Sequence, residues 1–308
     1  MAQRCGMILA GGEGTRLRPL TEMIVADGRP KQFCALLGDE TLLEQTWRRA
    51  ESVIEPGRTV TVLTQPHARF FAPLVARTPG RCLVIQPENR GTAPAILYGL
   101  SRIAARAPMG PVAILPSDHY VSDDAVFMSH VEAAFDAVDV RPDLVVLLGI
   151  APEGPETDYG WIEPGDAIPG GRLRRVRRFW EKPASGTARL LLDRGCLWNS
   201  FVVVARIPAI WSLIRAAAPE LDTAFVSVRA TFGTAAEGRA VARLYAGLPA
   251  INFSDRVLAT HPANLAVLPV TGVTWSDWGQ PRRVLATLAR LGVEPEWAKR
   301  TARMVASA

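Results

Sequence analysis

The residues with most to say about chemistry stand near the amino end: Gly11, Gly12, Gly14, Thr15 and Arg16, with Lys31 a little further on. An apolar run, Met7-Ile8-Leu9-Ala10, leads directly into the glycines. A strand end with uncovered backbone N–H groups and fixed positive charge beside it suits a polyphosphate. Two better-known phosphate loops are excluded. A P-loop places Gly-Lys-Ser/Thr after its glycines, and here Gly14 is followed by Thr15-Arg16. A dinucleotide fingerprint opens a helix with a third glycine, and Leu17 stands in that place with Pro19 close behind. Gly-Gly-x-Gly alone is equally compatible with a tight turn that holds nothing. The longer string through Arg16, Pro19 and Lys31 is far more specific.

Further candidates recur along the chain. Gln86 ends an apolar run and is followed by Arg90-Gly91-Thr92; Ser117-Asp118-His119 ends another. Glu181-Lys182, Asn199 and Asp277 lie in the second half. Lysine is scarce, with Lys31, Lys182 and Lys299 the only three, so two lysines inside such motifs are informative. Asp118 and Asp277 are hard oxygen donors of the kind Mg²⁺ takes together with substrate phosphates. Read locally, each has a plainer role: a helix N-cap for Asp118 and a turn for Asp277. His119 resembles a general base, but a phosphate oxygen needs no deprotonation at neutral pH, so a packing or loop role is expected.

These residues need elements to hold them. Strand patterns run over Met7 to Ala10, Thr59 to Leu63, Arg81 to Gln86, Val112 to Leu115 and Leu144 to Ile150. Helical patterns alternate with them, at Thr41 (a capping box) to Ile54, Thr92 to Ala107, and Ser122 or Asp123 to Val138. The alternation predicts an α/β fold with a mixed, mainly parallel sheet covered by helices on both faces. Ligands of such sheets sit at the carboxyl ends of the strands, where the glycine loop, Gln86 and Asp118 all fall. After residue 150 strands are expected at Tyr159 to Glu163, Arg172 to Trp180, Trp198 to Ala205 and Leu265 to Pro269. Helices are expected at Ile207 to Ala218, Leu221 to Thr231, Ala235 to Ala246 and Gln280 to Leu291. No linker divides the chain, so residues 1–308 are read as one domain, whose more elaborated second half, after residue 150, forms the other wall of the cleft.

Composition sets the outer limits. The chain has 308 residues and a formal charge of +5, which fits anionic substrates without proving them. Its longest apolar runs are too short to span a bilayer, so no membrane partner is expected. Cys5, Cys34, Cys82 and Cys196 are scattered and imply neither zinc nor disulfides, so a reduced cytoplasm is the expected home. The arginines between Arg172 and Arg178 read as a solvated strand face, and no nucleic-acid partner is expected.

Taken together, the strings resemble the sugar-1-phosphate nucleotidylyltransferases (nucleotide-sugar pyrophosphorylases). They are Leu9-Ala10-Gly11-Gly12-Glu13-Gly14-Thr15-Arg16-Leu17, Pro30-Lys31-Gln32-Phe33, Gln86 through Ile96, Pro116-Ser117-Asp118-His119, Tyr159-Gly160-Trp161-Ile162-Glu163, Phe179-Trp180-Glu181-Lys182-Pro183, Trp198-Asn199-Ser200 and Trp275-Ser276-Asp277-Trp278-Gly279. The Pro-Lys-Gln-Phe form is most similar to the mannose-1-phosphate guanylyltransferase branch. The resemblance implies a Rossmann-like, GT-A-like nucleotide-diphospho-sugar transferase fold, with a nucleotide-binding half, 1–150, and a sugar-phosphate-binding half, 151–308; as the sequence stops at residue 308, no C-terminal β-helix and a single activity are expected. It implies attack by the oxygen of a sugar 1-phosphate, most readily mannose 1-phosphate, on the α-phosphate of GTP, giving GDP-mannose and pyrophosphate. Leu9, Ala10, Gly11, Gly12, Gly14, Thr15, Gln86, Arg90, Gly91, Thr92 and Ser117 would hold the nucleotide. Arg16 and Lys31 would stabilise the departing charge, and Asp118 and Asp277 would hold Mg²⁺. Gly160, Glu163, Glu181, Lys182 and Asn199 would hold the sugar phosphate, Glu163 either directly or behind another residue.

Alternatives stay open. The same reaction could use UTP or dTTP with glucose 1-phosphate, since local chemistry does not separate guanine from uracil or thymine. A silent regulatory subunit that binds nucleotide-sugars is the reading from another class, and both a monomer and a homodimer are compatible with the sequence. Two departures from the family pattern stand out: a long stretch from Glu22 to Arg29, expected to alter a mobile lid, and Phe201 in the place of a glycine.

Overall fold

A computed structural model of the protein describes residues 3–78 and 80–298; Lys299 lies outside them. One nine-stranded sheet carries the architecture, in the order β3-β2-β1-β4-β9-β6-β10-β8-β7. Its members are β1 (Cys5–Leu9), β2 (Thr59–Thr64), β3 (Cys82–Gln86), β4 (Pro111–Pro116), β6 (Val145–Ile150), β7 (Gly160–Ala167), β8 (Arg174–Glu181), β9 (Leu197–Arg206) and β10 (Leu265–Val270). A separate antiparallel pair joins β5 (Tyr120–Val121) to β11 (Trp275–Ser276) and so brings the Asp118 and Asp277 segments side by side.

The first four strands in the order are mutually parallel, and β6 pairs β10 in parallel. Strands β9 and β8 run against the other seven. The central strands are apolar throughout because both faces are covered: every residue of β2 and of β6 is buried. Successive residues feed opposite cores. Met7 joins the cluster that includes Val62, Ile96 and Phe225, while Ile8 joins the one that includes Trp47, Phe135 and Leu148.

Helices α4 (Thr92–Ala104), α7 (Ile207–Ala217), α8 (Pro219–Val226) and α9 (Glu237–Gly247) build the first core. On the second face lie α2 (Leu42–Glu51), started by the expected capping box at Thr41 and Glu44, and α5 (Asp124–Val140), capped by Asp123. A smaller cluster around Leu17, Leu20, Leu36, Tyr120, Trp278 and Val284 ties α1 (Arg18–Val25) to α10 (Pro281–Leu291).

Three helices escaped the sequence reading: α1, α3 (Ala68–Arg77) and α6 (Ser185–Asp193). The stretch expected as a loop from Glu22 is half helix. Pro19 sits in the first turn, where its missing N–H costs nothing, and Ala26, at φ 48°, ends the helix in the left-handed region. Asp27 and Arg29 then close the connection, with Arg29 Nε donating to Asp27 Oδ2 at 2.9 Å. On β8, Arg174, Arg175, Arg177 and Arg178 are exposed, as a solvated strand face requires.

Candidate active site

The glycine loop leaves β1 at its carboxyl end. Gly11 is packed too closely for any side chain, since a Cβ there would meet Thr64 Oγ1 at 2.6 Å and Gln86 Nε2 at 2.9 Å. Gly14 adopts φ 60°, which turns the chain into the short 3₁₀ segment Thr15–Leu17 that carries Arg16. Gln32 braces the loop from behind: its Nε2 donates to the carbonyls of Ala10 at 3.1 Å and Gly12 at 2.8 Å. The Pro-Lys-Gln-Phe segment thus does two jobs, with Gln32 holding the loop while Lys31 faces the opening.

Two cavities meet at Asp118. One, of about 210 Å³, is lined by Leu9, Gly11, Gly12, Gln86, Gly91, Thr92 and Ser117 among others. Its wall is mostly neutral. The second, of about 240 Å³, is lined by Gly14, Thr15, Arg16, Lys31, Asp277 and Gly279. Asp118 and His119 line both. The sequence-predicted residues therefore divide between a mostly neutral compartment and a charged one, in which Arg16 and Lys31 face Asp118 and Asp277. Ala10 lines neither cavity; it is fully buried at the strand end. Arg90 is also outside both, its guanidinium donating to Glu88 at 3.0 Å while Asn89 takes the place at the cavity wall.

Charge in the second compartment is organised around Asp277. Its Oδ1 accepts from Arg283 Nη1 at 2.8 Å, Gly279 N–H at 2.8 Å and Tyr159 Oη at 3.1 Å. Its Oδ2 faces Arg16 at 3.7 Å. Lys31 Nζ donates to the Asp277 carbonyl and lies 3.3 Å from Asp118 Oδ2. Burial by itself would raise the Asp277 carboxyl, but Lys31, Arg283 and His119, with the Gly279 N–H, outweigh it and hold the group below its usual range. Burial lowers the His119 imidazole to about 4, Asp118 pulling the other way, so the ring is neutral at pH 7. His119 packs edge-on against Trp275 at 5.1 Å.

Sequence reasoning missed the ring of residues behind Asp277. Arg283 is buried, bonds Glu156 at 2.6 Å and Asp158 at 3.2 Å, and lies over the Tyr159 ring at 4.3 Å. Asp158 also sits 3.5 Å from Arg16. Asp158 and Tyr159 could have been suspected from their place just before Gly160; Arg283 has no motif around it.

The remaining predicted residues form a third group. Gly160 pairs with Glu181 across β7 and β8, and a Cβ on Gly160 would meet Glu181 Oε2 at 3.1 Å and Asn199 Cβ at 3.3 Å. Lys182 Nζ lies 3.6 Å from Glu181 Oε1 and is half-exposed. Burial raises the Glu181 carboxyl, against the pull of Lys182. Glu163 does not join them. It pairs with Arg178, on the face of β7 opposite to Gly160 and Glu181, and lies 4.0 Å from Arg177.

Backbone strain gathers here as well. Of the four non-glycine residues with positive φ among the described residues, Lys182 (44°), Phe201 (62°) and Trp278 (45°) lie in these motifs, and Ala26 closes α1. Phe201 lines the neutral cavity and packs against Phe253 at 6.4 Å. The positive φ explains why a glycine suits its position.

Elsewhere the cavities are less suggestive. The largest one described, about 530 Å³ at the amino ends of β1, β2 and β3, has its arginines engaged: Arg58 by Glu55, Arg102 by Glu237 and Arg106 by the Cys82 sulfur. No helix among the described residues is long and apolar enough to cross a membrane.

A glycine cradle at the carboxyl end of a parallel strand, the flanking cations Arg16 and Lys31, and the Asp118 and Asp277 segments joined by the β5–β11 pair make up this site. The chain belongs to the nucleotidyl transferase family, whose sequence profile matches residues 5–290. A mannose-1-phosphate guanylyltransferase of Sinorhizobium fredii is 32% identical over 278 residues, which cover 88% of this chain and 52% of the relative. The xanthan biosynthesis protein XanB of Xanthomonas campestris pv. campestris is 35% identical over 204 residues, 65% of this chain and 41% of the relative. The chain spans about half the length of the curated relatives it matches. A crystal structure from Thermus thermophilus, described as a mannose-1-phosphate geranyltransferase, superposes with a TM-score of 0.80 at 30% identity, over 92% of this chain and 79% of that one.

Proposed function

We propose that this chain transfers the nucleotidyl group of GTP to a hexose 1-phosphate, with mannose 1-phosphate as the acceptor, and releases pyrophosphate. The observation that carries this reading is the pair of cavities joined at Asp118. A mostly neutral compartment floored by Gln86, Gly91 and Thr92 suits a nucleoside, and a charged one, where Arg16 and Lys31 stand with two carboxylates able to share a cation, suits its phosphates. The names of the relatives in Sinorhizobium fredii and Thermus thermophilus support mannose 1-phosphate as the acceptor.

The chemistry needs no covalent intermediate. An oxygen of the sugar phosphate, already anionic at neutral pH, attacks the α-phosphorus in line while pyrophosphate leaves from the opposite side. Backbone N–H groups of the glycine loop orient the phosphate chain. Arg16 and Lys31 stabilise the charge that builds on the leaving group. Neutral His119 takes no proton and serves as a wall. Lys182, next to Glu181, is placed to meet the second phosphate, and Asn199 and Glu181 to accept from sugar hydroxyls.

The donor set fits Mg²⁺. Asp118, which lines both cavities, and the Oδ2 of Asp277, in the second, offer hard carboxylate oxygens. Among the described residues no cluster of three or more acidic, His or Cys side chains surrounds them, so phosphate oxygens would complete the shell. When bound, the ion would neutralise phosphate charge and fix the angle of attack.

The test is a nucleotide-by-sugar matrix with Mg²⁺, read by pyrophosphate release. GTP with mannose 1-phosphate is expected to be the best pair. A best pair of UTP or dTTP with glucose 1-phosphate would change the substrates and keep the reaction, whereas no turnover with any pair and retained nucleotide-sugar binding would mark a regulatory subunit.

A further inference from the structure

Gln86 ends β3, is buried, and turns its two amide atoms toward different partners. Tyr245 of α9 donates its hydroxyl to Gln86 Oε1 at 3.1 Å, and the Pro94 carbonyl lies 3.4 Å from that hydroxyl. The Tyr245 ring is fully buried between Tyr98 and Phe225, each with its centroid at 6.3 Å. Burial also raises the phenol, so its O–H remains a donor at any pH at which the protein works. Gln86 Nε2 points the other way, toward Gly11, where a Cβ would come within 2.9 Å of it. The amide therefore shows its N–H donors to the neutral cavity and keeps its carbonyl oxygen away from it.

We propose that Tyr245 is a positioning residue for base choice: by holding Gln86 Oε1, it presents the amide donors to the nucleobase and selects bases that offer a carbonyl oxygen over bases that offer an amino group. This rests on the nucleotide-binding reading above and adds what decides the base. Guanine offers O6 where adenine offers an amino group, and uracil offers O4 where cytosine offers one. An amino group set against the Gln86 donors leaves both sides unpaired in a closed site, which is a strong means of rejection. Tyr245 does not line the cavity, so its influence passes through Gln86.

The test compares GTP with ATP and UTP with CTP on the whole chain, by kcat/KM for pyrophosphate release and by equilibrium binding with Mg²⁺. The unmodified chain is expected to favour the first of each pair. Tyr245→Phe keeps the ring and is expected to shrink both preferences by roughly three- to tenfold, the scale of one neutral hydrogen bond. The change should fall on KM more than on kcat. Tyr98→Phe, which removes a hydroxyl bonded to Glu237 at 2.7 Å in the same aromatic cluster, is expected to leave both preferences as they were. Gln86→Glu replaces the donors with an acceptor and is expected to lower the preference for GTP over ATP even if Tyr245→Phe does not fold. Unchanged preferences in folded Tyr245→Phe, an equal loss for all four nucleotides, or an unchanged preference in Gln86→Glu overturns the inference and leaves the reaction standing. Failure of the unmodified chain to bind any of the four overturns the nucleotide reading itself.

Discussion

Asp277 holds three donors on one carboxylate oxygen and keeps the other for the opening, and that asymmetry is what the site's chemistry asks of it. Asp118 is the less encumbered carboxylate, half-buried and shared by both cavities. Asp118→Asn keeps the shape and removes the charge, so we expect a loss of activity on the order of 100-fold or more with an unchanged melting temperature. A pyrophosphate assay beside a thermal melt checks both halves of that statement. His119 gives a pH test. Its imidazole sits at about 4 in the folded chain against 6.5 ordinarily, so between those values the unfolded chain holds more protons. Stability is therefore lost as pH falls from 6.5 to 4, with no further loss from this group below 4. Asp118, Lys31, Asp277 and Arg49 are the charged side chains that bear on the ring. His119→Gln is expected to flatten that limb in denaturant titrations of the metal-free protein. At this scale the candidates that stand in contiguous strings were legible, and the fold brings Arg16, Lys31 and Asp118 to one cavity. The sequence was silent on Arg283 and Tyr245, which act on Asp277 and Gln86 from helices, and which no local spacing marks.

Elements decide whether those side chains converge. Helix α4 opens at Gly91, which has φ 85° and sits against the Ile251 carbonyl, so that the neutral cavity and the helix start are built from the same turn. Gly91→Ala meets both a strained backbone and a carbonyl oxygen. A loss of about 2 kcal/mol or more in denaturant unfolding is expected, with weakened nucleotide binding. A change within about 0.5 kcal/mol of the parent, the scale of an ordinary surface substitution, would contradict the packing described. Elements with strong periodicity or caps were legible: the capping box at Thr41, the cap at Asp123 and the apolar strands fall where the residue pattern puts them. Helices α1, α3 and α6 were not. Pro19 and Pro73 obscure two of them, and α6 has no side-chain cap to announce it. The pairing of β5 with β11 is only two residues long on each side, too short for any alternating pattern, yet it is what sets Asp118 beside Asp277.

For the whole molecule, the α/β alternation of the first half was enough to place the glycine loop, Gln86 and Asp118 together at the carboxyl ends of neighbouring parallel strands. The two reversed strands, β8 and β9, could not be read the same way, because strand direction depends on which neighbour a strand finds rather than on its own residues. They carry Glu181 and Asn199, and they bring the third group of candidate residues to the sheet. The account's central claim is that the neutral and charged cavities are two parts of one nucleoside triphosphate site with Asp118 at the joint. A crystal structure with a non-hydrolysable GTP analogue, mannose 1-phosphate and Mg²⁺ tests it most directly. The account predicts the base against Gln86, the phosphate chain passing Asp118 to Arg16 and Lys31, and the sugar phosphate toward Lys182. A nucleotide seated elsewhere, or one whose base lies between Arg16 and Lys31 with its phosphates against Gln86, would contradict it.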